Sequence, residues 1–268
     1  IAEQNNRTGT GHAVQLAAQY IPEKSEYVVI MPPDMPLIKT ETLNKLIEHT
    51  AERRLSACVL TSKTNTPCGQ GRVFVDKETL RGKIVEENEL ADHEKDNNII
   101  NTGIICFDKN HLLEVLWGLP MHQNQLYITD CVEAVGRLGH VDIMELSEPE
   151  LLRIQNRVDL ADAGKAIRKE ILRKHMLSGV TIIDPDNTYI DKAVRIGCDT
   201  VIYPNNYIEG DTVIGQGCCL YPGNRLIDCE IHDNVNMQGV IATSAVIHDS
   251  VRLGPYTHLR PGTVIHAR

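Results

Sequence analysis

From Ile196 onward, aliphatic residues return at every sixth position, and few folds tolerate that period. They fall at Ile196, Ile202, Ile208, Ile214, Leu220 and Leu226, and the run resumes at Ile241, Ile247, Leu253, Leu259 and Ile265. A helix repeats its buried face about every 3.6 residues and a strand about every 2, so neither produces a period of six. A solenoid of short strands does, because each coil has three faces and stacks one aliphatic per face into an inner ladder. Gly197, Gly210, Gly215, Gly217, Gly223 and Gly254 accompany the repeat and suit its corners. The register slips between Leu226 and Ile241, where Ile231 and Met237 fit a shifted frame. At roughly 18 residues per coil this predicts about four coils. An inner ladder of Ile, Val and Leu also explains why aromatic residues make up only 4% of the chain.

The preceding residues follow a different rhythm. Helical spacing over His12–Tyr20, Glu41–Arg53 and Leu112–Trp117, and again after Thr129, alternates with strand-like runs at Tyr27–Met31, Ala57–Leu60 and Ile104–Phe107. Such alternation implies an α/β sheet. From Arg157 to Ser178, apolar Leu160, Ala163, Ile167 and Ile171 recur at three and four, which predicts one connecting helix with a solvated basic face. The chain thus divides into residues 1–156, 157–178 and 179–268.

Charge and cysteine narrow the partners. A net charge of −9 disfavours nucleic acid and anionic membrane surfaces, and no apolar run is long enough to span a bilayer. A polyphosphate substrate would therefore need local help from Mg²⁺ or backbone amides. Eight cysteines without a Cys-x-x-Cys pair or zinc spacing imply reduced, mostly buried thiols and a cytoplasmic location.

Nine short motifs occur in order. They are Gln4 with Gly9-Thr10-Gly11-His12-Ala13, Asp34-x-Pro36-Leu37, Gly69-x-Gly71-Arg72, Ile84-Val85-Glu86, Asn101-Thr102-Gly103 and Tyr127-Ile128-Thr129-Asp130, then Asn156-Arg157, Gly254-Pro255-Tyr256 and Leu259-Arg260-Pro261-Gly262. Together they resemble the bacterial bifunctional N-acetylglucosamine-1-phosphate uridylyltransferase/glucosamine-1-phosphate acetyltransferase family over essentially the whole chain. The resemblance implies a partial Rossmann-like nucleotidyltransferase domain, a helical arm and the start of a left-handed parallel β-helix. It also implies a homotrimeric full-length parent that makes UDP-N-acetylglucosamine for cell-wall precursors. One domain would transfer UMP from UTP to N-acetylglucosamine 1-phosphate and release diphosphate. The other would acetylate glucosamine 1-phosphate with acetyl-CoA.

The physical chemistry of these residue types suits that assignment. Phosphoryl-type transfer depends on charge neutralisation and positioning. A carboxylate after a buried strand suits a hard divalent cation, although an Asp before Pro36 would also serve as a turn or cap. By resemblance Asp34 is the Mg²⁺ ligand, with Gln155 at the place of the family's second ligand, an asparagine. Gly9 and Thr10 resemble the uracil-contacting segment, with Gln4 reading the base edge; by pattern alone they would be an ordinary loop before a helix. Gly71, Glu86 and Asn101 resemble the amino-sugar contacts, and Arg260 the phosphate-binding arginine of the acetyltransferase side.

Three departures shape the expectation. The family's Gly-rich Leu-x-Ala-Gly-x-Gly-Thr-x-Met loop and following lysine do not occur here, so the fragment is expected to be inactive by itself. Pro32-Pro33 replaces a Tyr-Gly pair before the metal aspartate, which removes a backbone donor and adds bulk. Gln155 offers its carbonyl one methylene further out than asparagine. The family's catalytic histidine would lie beyond residue 268. Two other readings stay open: a degenerate relative serving as an assembly or regulatory module, and a sugar-phosphate nucleotidyltransferase of other specificity.

Overall fold

A computed structural model describes all residues except 1, 5, 7, 65–68, 77, 148, 149 and 268. The chain forms two compact units, Ile1–Asp159 and Leu160–Arg268, each with its own core.

The first unit is built on its most apolar segment, β2 (Ala57–Lys63), which is buried from Ala57 to Ser62. Burial on both faces means that β2 is covered from both sides. Ala57 and Val59 pack into one apolar cluster with Phe107, Leu112, Cys131 and Val132. Cys58 and Leu60 pack into another with Leu46, Ile104 and Cys106. The helices supplying these layers are α1 (Thr10–Ala18), α2 (Thr40–Glu52), α3 (Lys109–Val115) and α4 (Asp130–Val135).

The remaining strands are β1 (Tyr27–Ile30), β3 (Arg72–Asp76), β4 (Arg81–Val85), β5 (Ile99–Asp108) and β6 (Val141–Glu145). The sheet runs β4-β3-β5-β2-β6, and β1 pairs with β5. β5 is antiparallel to β1, β2 and β3, whereas β2 and β6 are parallel. The sheet is therefore mixed. Sequence rhythm anticipates β1, β2 and the second half of β5, but not β3, β4 or β6.

In the second unit, helix α5 (Arg157–Leu177) stops abruptly at Gly179, which has φ 92°. The Gly179 amide donates to Met176 O and the Val180 amide to His175 O, a Schellman arrangement that turns the chain into the first coil. Leu172 of α5 is buried in the solenoid's apolar cluster with Val180 and Ile182.

Beyond it lies a left-handed parallel β-helix of three five-stranded parallel sheets. Its first ladder is Ile182, Ile202, Leu220, Met237 and Leu253. The second is Ile190, Ile208, Leu226, Ala242 and Leu259. The third is Ile196, Ile214, Ile231, Ile247 and Ile265.

Two expectations need correction. There are five coils rather than about four among the described residues, because the repeat starts upstream of Ile196, at Ile182. Ile241 is not an inward residue: it is 49% exposed, and Ala242 takes its place in the ladder. The faces from Leu226 to Ile231, from Met237 to Ala242 and from Ala242 to Ile247 are each one residue short, so each shifts the frame.

Corners hold further buried stacks. Thr188, Asn206, Asn224 and Val240 are all inaccessible to solvent and each precedes a strand of the second sheet. Cys218 and Cys229 occupy the other two kinds of corner, where burial pushes their thiols up. Every cysteine among the described residues is free, and five of them are buried; Cys68 lies outside those residues.

Candidate active site

The residues singled out in the first unit gather around the ends of β1, β3, β4 and β5. Gly9 lies at the N-terminus of α1 with φ 101°, and no side chain caps that helix end. A Cβ at Gly9 would run into the Leu126 carbonyl oxygen. The close approach lets Gly11 N donate to Leu126 O at 2.8 Å and Leu126 N to Thr8 O at 2.8 Å, while Ile128 N donates to Thr10 Oγ1 at 3.1 Å. Gln4 is held against the same loop, its Nε2 donating to Gly9 O at 3.1 Å and lying 3.1 Å from His12 Nδ1. The Gly-Thr-Gly loop and the segment leading to Thr129 are thus one bonded unit.

Gly71, Glu86 and Asn101 converge. Asn101 N donates to Gly71 O at 2.9 Å, and a Cβ on Gly71 would come within 3.3 Å of Glu86 Oε2. Glu86 Oε1 accepts from Thr129 Oγ1 at 3.1 Å. Asn101 Oδ1 accepts from Gly103 N at 2.9 Å, and the Asn101 NH₂ has no partner among the described residues. The carboxylate can accept from hydroxyls and the amide can donate, a complementary pair for a polyol ligand. The adjacent Arg72 is 3% exposed, donates through Nε to Asn97 O and has a head atom 3.7 Å from Glu87. It anchors the first residue of β3, directly after Gly71.

Asp34 follows β1 and the Pro32-Pro33 pair. Gly103, with φ 84°, leaves room for the Pro32 ring, whose Cγ would lie 3.3 Å from a Cβ at that position. Asp34 O accepts from Ile154 N at 2.8 Å, which brings the segment containing Gln155 alongside it. Asp34 Oδ2 lies 3.2 Å from Arg153 Nε, whereas Oδ1 is buried without a partner. Gln155 itself is exposed, and its backbone amide donates to Asp159. Asn156 and Asp159 cap α5 reciprocally: the Asn156 side chain accepts from the Val158 and Asp159 amides, and Asp159 accepts from Asn156 N. Buried Glu150 accepts from Lys39 N, Thr42 Oγ1 and Ser147 Oγ, tying this strip to the start of α2. Burial pushes its carboxyl up, but those donors outweigh burial and hold it below the usual range.

Several neighbours carry no sequence signal. Arg153, Glu150 and the pair of Thr129 with Glu86 act across long separations that no local motif announces. The same holds for His122, whose ring nitrogens lie 3.5 Å from Glu89 Oε1 and 3.2 Å from Asp130 Oδ2. Burial raises the Asp130 carboxyl, and His122 opposes the rise. In the second unit, Arg260 is exposed; its carbonyl accepts from Thr263, and its guanidinium has no partner among the described residues. It stands apart from the residues of the first unit in sequence and in unit.

Comparisons with known proteins agree with the two-part architecture. Residues 1–142 match the MobA-like NTP transferase domain family, and residues 193–227 match the bacterial transferase hexapeptide (six repeats) family. A protein of Acetivibrio thermocellus named bifunctional protein GlmU is 40% identical over 270 residues, covering 98% of this chain and 58% of that protein. Its namesake from Geobacillus sp. is 39% identical over 269 residues, with the same coverage. The chain thus spans 58% of the length of these relatives. A solved structure from Entamoeba histolytica, described as a candidate UDP-N-acetylglucosamine pyrophosphorylase, shares the fold at a TM-score of 0.53 and 14% identity, covering 69% of this chain and 58% of that one. The chain belongs to the MobA-like NTP transferase family and is GlmU-like along its length, a nucleotidyltransferase domain followed by hexapeptide repeats.

Proposed function

We propose that the first unit binds a uridine nucleotide and N-acetylglucosamine 1-phosphate as the uridylyltransferase part of UDP-N-acetylglucosamine biosynthesis. The observation that supports this most is the convergence of Gly71, Glu86 and Asn101. Glu86 would accept from sugar hydroxyls, the Asn101 NH₂ would donate to the sugar's acyl or hydroxyl oxygens, and Gly71 would let the ring approach the strand. At the start of α1 the Gly11 amide is taken by Leu126 O, but the Thr10 and His12 amides have no acceptor among the described residues and favour an anion, and Gln4 keeps a carbonyl for a base edge.

The unpartnered, buried Asp34 Oδ1 fits a hard divalent cation, and the carbonyl of Gln155 is a compatible second oxygen donor. Mg²⁺ held there would neutralise phosphate charge as it moves to the leaving diphosphate. The second unit would belong to an acetyl-CoA-dependent acetyltransferase side, with Arg260 as a phosphate contact and a homotrimer as its assembled state.

A ligand panel tests the specificity. In the presence of Mg²⁺, UDP-N-acetylglucosamine is expected to bind about tenfold more tightly than UDP-glucose or GDP-mannose in ligand-observed NMR competition, a difference on the scale of one well-placed polar contact. Equal binding across the panel would point to a sugar-phosphate nucleotidyltransferase of other specificity.

A further inference from the structure

The two oxygens of Asp34 are treated unequally. Oδ2 faces the Arg153 guanidinium at 3.2 Å, while Oδ1 is buried and touches no donor. A carboxylate can accept on both oxygens at once, so half of the capacity of this one is unused inside the protein. Nor is the pairing a loose surface encounter. The backbone bond from Ile154 N to Asp34 O, at 2.8 Å, places the residue next to Arg153 directly on the aspartate. The Arg153 side chain has no other ion-pair partner among the described residues, and the two side chains are only 30% and 31% exposed.

We propose that Arg153 is a built-in competitor for the cation site at Asp34: a fixed positive charge that neutralises the carboxylate when no divalent ion is bound and sets the affinity for that ion. The proposal rests on the reading of Asp34 as a metal ligand. A divalent ion arriving at Oδ1 would meet a carboxylate already compensated by a guanidinium a few ångströms away, in a half-buried setting where such repulsion is weakly screened. Arginine is also the side chain best suited to a phosphate oxygen, so a bound triphosphate offers Arg153 an alternative partner as it leaves Asp34. Metal and nucleotide affinities are then coupled through this one side chain, and linkage requires the coupling to act in both directions.

A purely structural salt bridge at this exposure would contribute little and would alter stability without altering ion affinity. The test is therefore Mn²⁺ binding, followed by electron paramagnetic resonance, with the chain as it stands. Arg153→Gln and Arg153→Ala are expected to bind Mn²⁺ at least about tenfold more tightly than the native chain, a factor that one unit charge a few ångströms from a divalent ion already supplies at the dielectric of water. Arg153→Lys, which keeps the charge, should stay close to the native affinity, and Asp34→Asn should bind no Mn²⁺ at this site. Thermal melts identify variants that fold; if Arg153→Ala fails to fold, Arg153→Gln, which retains most of the side-chain stem, carries the comparison. Native and neutral variants with equal affinities, both sensitive to Asp34→Asn, would overturn the role of Arg153 and leave the metal reading standing. Absence of Mn²⁺ binding in every variant would overturn both.

Discussion

Asn224→Leu is expected to lower the unfolding free energy of the solenoid by about 3 kcal/mol, the cost of stranding two or three buried polar groups at roughly 1 kcal/mol or more each. Asn224 is fully buried at a corner. Its Nδ2 donates to Asn206 Oδ1 at 2.8 Å and to Tyr221 O at 2.6 Å, and its Oδ1 accepts from Val240 N at 2.9 Å. Leucine keeps the branched heavy-atom skeleton but is bulkier, so overpacking at this fully buried corner adds to the loss of hydrogen bonding. Each coil hands the bond to the next: Asn206 Oδ1 accepts from Asn224 N, and Asn224 Oδ1 accepts from Val240 N. The effect should appear in urea unfolding followed by circular dichroism as a lower midpoint. A shift corresponding to less than about 1 kcal/mol would show that water or relaxation satisfies these groups.

Gly9→Ala should be as damaging on the other unit. The residue combines φ 101° with a backbone approach that places any Cβ against the Leu126 carbonyl. With ψ 174° this is an extended positive-φ conformation that essentially only glycine adopts, and an L-residue there is strained by roughly 1–3 kcal/mol before the clash is counted. Relief requires the loop to move away from Leu126, which breaks the Gly11 N to Leu126 O bond and loosens Ile128 from Thr10. The expected result is a loss of nucleotide affinity of about 100-fold, close to 3 kcal/mol, with faster hydrogen exchange at Gly11 and Leu126. Unchanged exchange at those two amides would contradict this account of the loop.

How much of this was legible in the sequence differs between the units for a physical reason. In the solenoid each residue contacts its counterparts in adjacent coils, so period alone identifies Ile202, Ile208 and Ile214 as core. It misassigned Ile241 because faces one residue short leave the repeat visible while shifting its frame. In the first unit β3 and β4 escaped notice because their connection carries no Asn-Gly or Asp-Gly signal. Instead the Asp76 carboxylate accepts from the Glu78 and Thr79 amides, and Leu80 adopts φ 50°.

The site divides in the same way. Gly71, Glu86 and Asn101 were found through ordered motifs, and the structure brings the three together. Arg153 was not, since its meeting with Asp34 spans 119 positions and exists only in the tertiary structure. Thr129 stood within a recognised motif, yet its bond to Glu86 had no counterpart in spacing. The bulk of Pro32 is accommodated by Gly103, which has no side chain beside the proline ring, and nothing in the local sequence links the two.

Calorimetric titration of UDP-N-acetylglucosamine into the native chain and into Glu86→Ala and Asn101→Ala, each with Mg²⁺ and each shown to be folded, tests the central claim most directly. The account predicts one-to-one binding to the native chain and an affinity at least about tenfold weaker in each variant, because each loses a polar contact to the sugar. No binding to the native chain, or equal binding to all three proteins, would contradict it.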